Sequence, residues 1–78
     1  MSIYERVIVK FGIKNQKDKM IEEMAELTIA LFKERSGLEH NIAEEIADTQ
    51  IVLDQMKLLY PEWISWEQVK LRRLEERL

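Results

Sequence analysis

Two short strings decide how this chain folds: Glu22-Glu23-Met24-Ala25-Glu26 and Glu44-Glu45-Ile46-Ala47-Asp48. Each reads acid-acid-x-x-acid. Each lies in a stretch rich in Glu, Lys, Leu, Ala, Met and Gln, which favour helix. Positions three apart share a helix face, so Glu23 projects with Glu26 and Glu45 with Asp48. Between the strings stands Ser36-Gly37, a helix stop signal. The pattern predicts one helix from about Asn15 to Arg35. A second runs from about Leu38 or Glu39 to Leu59 and is ended by Pro61. Each would be about 30 Å long, and so short a connection makes them antiparallel neighbours.

The hairpin sets a register. With the turn near Ser36, positions whose numbers sum to about 71 face each other. Glu26 then faces Glu45, and Glu23 faces Asp48, so the four carboxylates converge at one level. Such a gathering needs a cation to neutralise it. Hard divalent ions with oxygen ligands fit, magnesium above all, and magnesium commonly bridges to phosphate oxygens. The surroundings point the same way. At about 100° per residue, Gln16, Lys19, Glu23, Glu26 and Ala30 form one stripe. Met20, Met24, Leu27 and Leu31 form the stripe beside it, and Ile21, Ala25, Thr28 and Phe32 a third. In the second arm Asn41, Glu45, Asp48 and Val52 align next to Ile42, Ile46, Leu53 and Met56. A solvated face would lie opposite the core, not beside apolar surface. A carboxylate di-iron site is the rival chemistry, but it wants a Glu-x-x-His string on two helices. The one histidine, His40, is not so placed.

Outside the hairpin the signals are shorter. Ser2 with Glu5 reads as a capping box opening a helix that Gly12 stops near Phe11. Ser65 with Gln68 reads as another, opening a helix to the C-terminus. Trp63 and Trp66 read as anchors of that helix on the core or on a partner chain. The four methionines read as core filler. The sequence thus predicts an all-α domain over 1–78: a central antiparallel hairpin with short N- and C-terminal helices. Apolar residues on two sides of the arms predict self-association.

Composition narrows the function classes. The chain has 78 residues, 46% hydrophobic and 35% charged, with two glycines, one proline and no cysteine. There is no disulfide, thiolate metal site or cysteine nucleophile. A net charge of -3 is not the footprint of a nucleic-acid-polymer binder. No apolar run approaches the roughly 20 residues of a membrane span. The opening Met-Ser-Ile-Tyr-Glu-Arg lacks the apolar stretch of a secretory signal, and a cytoplasmic location is the expectation.

The paired strings resemble the signature of the MazG-like all-α nucleoside triphosphate pyrophosphohydrolases. Gln16-x-x-Lys19-x-x-Glu22-Glu23-x-x-Glu26-Leu27 resembles the family's approach to its first motif. Lys70-Leu71-Arg72-Arg73-Leu74-Glu75-Glu76-Arg77-Leu78 resembles the basic C-terminal helix of its small stand-alone members. The resemblance spans about Gln16 to Leu78. It implies a homodimer or homotetramer in which paired hairpins build four-helix bundles. It implies hydrolysis of a ribo- or deoxyribonucleoside triphosphate to the monophosphate and pyrophosphate, as nucleotide-pool housekeeping. The cofactor would be magnesium, with manganese as a substitute. Glu23, Glu26, Glu45 and Asp48 match the metal ligands. Glu22 completes the catalytic set as a carboxylate able to orient water, and Glu44 matches the first acid of the second motif. Gln16, Lys19, Lys70 and Arg73 are the substrate-binding candidates. For Lys19 an ion pair with Glu23 is the competing role; for Arg73, pairing with neighbouring acids. Two other functions compete: a non-catalytic nucleotide- or metal-binding bundle, and a plain helical interaction protein with solvated acids.

Overall fold

The computed structural model describes residues 1–78, which form four helices and no strand: α1 (Ile3–Phe11), α2 (Ile13–Arg35), α3 (Ile42–Leu59) and α4 (Trp63–Arg77). Ser2 opens α1 as expected. Its hydroxyl accepts from the Glu5 N–H at 3.2 Å, and the Glu5 carboxylate accepts from the Ser2 N–H at 3.1 Å. Gly12 is the whole joint between α1 and α2. At φ 91° and ψ 151° it occupies a region essentially restricted to glycine. Its N–H closes α1 on the Ile8 carbonyl, and its carbonyl accepts the first N–H bond of α2 from Gln16. Consequently α2 begins two residues before Asn15. The Asn15 amide bonds back to the Phe11 carbonyl at 2.7 Å instead of capping a helix.

The stop at Ser36-Gly37 is a Schellman turn. Leu38 N–H donates to the Lys33 carbonyl and Gly37 N–H to that of Glu34, with Gly37 at φ 75°. Residues 38–40 stay outside any helix, and α3 starts at Ile42, later than the sequence suggested. At the far end, α4 starts at Trp63, and its N-terminus has no side-chain cap. The expected Ser65–Gln68 box is therefore absent, because Ser65 already lies inside the helix.

The arms α2 and α3 form the antiparallel hairpin, and α1 packs on both. The register is close to the expected one: the Thr49 hydroxyl donates to the Glu23 carbonyl at 3.3 Å. What the hairpin encloses is unusual. Six residues are buried: Gln16, Glu23, Ala30, Glu45, Val52 and Gln55. On α2 they recur every seven residues, as along a coiled-coil seam, yet four of the six are polar. The apolar stripes face outward. Ile21, Met24, Phe32, Ile46 and Ile51 are all at least half exposed. The methionines do not fill the core: Met1 and Met24 lie at the surface, and Met20 and Met56 are half-buried.

The last helix also departs from expectation. α4 buries no residue and touches the other helices only slightly. Trp63 is half-buried under the Lys57 ammonium, 4.4 Å from its ring centre. Trp66 is exposed and anchors nothing within the chain.

Ala30 is the most buried residue of the seam, at 1% exposure. Ala30→Leu forces the arms apart and lowers stability by about 1–3 kcal/mol. Urea unfolding of the two proteins side by side measures it.

Candidate metal centre

One level of the seam carries the acids. Glu23 reaches it from α2, and Glu45 and Asp48 from the first two turns of α3. Each offers one carboxylate oxygen, and these oxygens lie within 4.8 Å of one another. Glu23 is 5% and Glu45 7% exposed, and Asp48 is half-buried.

Each enclosed glutamate has one oxygen held and one free. Glu23 Oε1 lies 3.1 Å from the Lys19 ammonium. Glu45 Oε1 accepts from the Asn41 amide at 2.7 Å. The other oxygens, Glu23 Oε2 and Glu45 Oε2, are buried without a partner. An unmatched buried carboxylate oxygen is costly. Here two stand beside a third carboxylate. The donor set is all hard oxygen, as magnesium requires. These residues therefore fit a hard divalent cation.

The remaining expected residues are placed as follows. Glu26 is exposed and stands outside the close trio. The negative charge of Glu23, then burial, then Glu45 and Glu22 push its pKa above the usual 4.5. Glu22 is exposed, 3.5 Å from Lys19. Lys19 thus takes the ion-pair role in this structure. Its pKa is raised by the hydrogen bond to Glu23 and the charge of Glu22. Gln16 is buried on the same seam. Lys70 and Arg73 are not brought to the cluster. Neither forms an ion pair, and the four ion pairs of the chain lie within α2 or α3.

One residue escaped the sequence reading. Gln55 is 2% exposed with its Oε1 unpartnered. Its number and that of Gln16 obey the same hairpin sum, which was the available signal. Asn41, which the sequence aligns with Glu45, stands at the start of α3 but makes no side-chain cap; its amide donates to the Glu45 carboxylate instead.

No family model, no curated protein and no solved structure matches the chain. No helix is long and apolar enough to cross a membrane.

The raised pKa of Glu26 has a measurable consequence. The folded state holds this proton more tightly than the unfolded chain, whose value is near 4.5. The resulting stabilisation is present at low pH and is lost as pH rises through the raised value. Glu26→Gln flattens that part of the pH dependence. Thermal melts of both proteins in chelator, from acid to neutral pH, test it.

Proposed function

We propose that the chain is a small magnesium-dependent nucleoside triphosphate pyrophosphohydrolase of the MazG-like kind. It would release pyrophosphate and leave the nucleoside monophosphate, in nucleotide-pool housekeeping. One observation carries the reading: two buried, unpartnered glutamate oxygens beside a third carboxylate, Asp48. Enclosing such charges is costly unless a counter-charge meets them. The paired acid-acid-x-x-acid strings, in hairpin register, give that cluster its likeness to the family's site.

Glu23, Glu45 and Asp48 would hold the ion, with Glu26 at the rim. Magnesium would supply neutralisation of the phosphate oxygens. The chain's own residues do the rest. Asn41 fixes the Glu45 carboxylate through one oxygen. Lys19 neutralises Glu23 and is itself half exposed, free to turn toward a phosphate. Exposed Glu22 accepts a proton from an attacking water. Gln16, Lys70 and Arg73 contact the substrate. The outward apolar stripes support a homodimer or homotetramer built from paired hairpins, in the cytoplasm. Light scattering then reads at least twice the 9.4 kDa of one chain.

A plain interaction module is the second reading. The Lys19–Glu23 pair favours it, because it already satisfies part of the cluster. The deciding experiment is pyrophosphate release from a panel of ribo- and deoxyribonucleoside triphosphates with and without magnesium. Magnesium-dependent release with a monophosphate product supports the enzyme. No release from any of them, with the protein folded, overturns it. Metal-linked stabilisation then separates a binder from an interaction module.

A further inference from the structure

The chain exposes more surface than its mass requires. A compact monomer of this size has about 5,000 Å² accessible; this one has 6415 Å². Its radius of gyration is 15.2 Å, against about 11.5 Å for a compact domain of this length. The excess is about 1,400 Å² per chain. A standard interface takes about 800 Å² from each partner. The surplus is therefore on the scale of a stable dimer contact.

Helix α4, which buries no residue, contributes to it. Ile64, Leu71, Leu74 and Leu78 recur at helical spacing along one side, and each is at least half exposed. Lys70, Arg73 and Arg77 form the stripe next to it. The helix is amphipathic, with no hairpin beneath it. The α2–α3 hairpin carries the complementary pattern. At about 100° per residue, Ile29 and Ile51 share a flank with Glu22, Glu26 and Asp48. Ile29 and Ile51 are 54% and 50% exposed. Apolar beside basic on α4 thus answers apolar beside acidic on the hairpin, and the two do not meet within one chain.

We propose that α4 of one copy docks on the acidic flank of the α2–α3 hairpin of a second copy, bringing Lys70 and Arg73 to that copy's carboxylate cluster. Each site is then built from two chains: acids from one, phosphate-holding cations from the other. The exchange covers the α4 stripe and offsets the acidic charge. It also explains how residues that lie away from the cluster in their own chain serve it. The docking stands on surface and charge alone. The role of Lys70 and Arg73 on substrate rests on the pyrophosphohydrolase reading.

The test separates the two. The chain has no cysteine, so introduced thiols report contacts cleanly. Full-length Glu67→Cys, on the α4 apolar side, is mixed with mass-labelled Ala25→Cys, near the acidic flank. A short bismaleimide is added. Docking yields a cross-link between the two different chains. A 9.4 kDa monomer in light scattering, or Glu67→Cys linking only to itself, overturns it. In parallel, inactive Glu45→Gln is mixed with the inactive double variant Lys70→Ala/Arg73→Ala. If sites are shared, half the dimers are mixed and one of their two sites is intact, so about a quarter of wild-type turnover returns. A hetero cross-link with an active wild type but no recovery overturns the role of Lys70 and Arg73. A hetero cross-link with an inactive wild type leaves the docking standing and removes the enzyme reading.

Discussion

If the chain is the pyrophosphohydrolase proposed above, Glu45→Gln is expected to lower magnesium-dependent pyrophosphate release by about a hundredfold or more, the scale on which electrostatic groups at a reacting phosphate act. The substitution keeps size and helix propensity. It removes one charge from a level where two other carboxylates lie within 4.8 Å. It also removes an oxygen that is buried and unpartnered. The Asn41 amide can still donate to the oxygen that remains. The fold should therefore persist, and the metal-free protein should be more stable, because like-charge repulsion is relieved. Steady-state assays and thermal melts together read this. Unchanged hydrolysis would remove Glu45 from the site. Loss of turnover with loss of helicity would make its role structural.

If the cluster holds magnesium as proposed, the ion is expected to stabilise the wild-type fold, independently of any turnover. A ligand that binds only the native state adds about 2.7 kcal/mol at a hundred times its dissociation constant. For so small a domain that is a shift of many degrees in melting temperature. Sodium at equal ionic strength should give far less. Surface pairs such as Lys14–Asp18, 2.8 Å apart and exposed, respond to screening alone. Glu45→Gln should lose most of the magnesium shift. Its absence from the wild type would leave the buried oxygens without a cationic partner and favour the interaction module.

The hairpin was legible because its determinants are local and periodic. Gly37 could end α2, and two strings of identical spacing fixed which residues face each other. The capping box at Ser2 was legible for the same reason. The helix starts were less so. Gly12 serves two helices at once, which a search for Ser or Asn caps does not reveal. Asn41 looks like a cap, yet its amide is taken by Glu45. Within the site, spacing alone placed Glu23 opposite Asp48 but could not show that Glu26 stays at the rim. The fourth helix was the largest departure. Its amphipathic pattern was plain, but periodicity says only that a face wants cover, not whose surface supplies it.

The composition of the seam has a consequence for anyone who tries to strengthen this protein. Four of its six buried positions are polar: Gln16, Glu23, Glu45 and Gln55. A design protocol would replace them with leucine and alanine, and the hairpin would gain stability. The same edit would erase the pocket of oxygens. Robustness and chemistry draw on the same handful of sites here, so natural variants that melt higher should be sought among changes to the outer faces, where thermostability can rise without touching the seam.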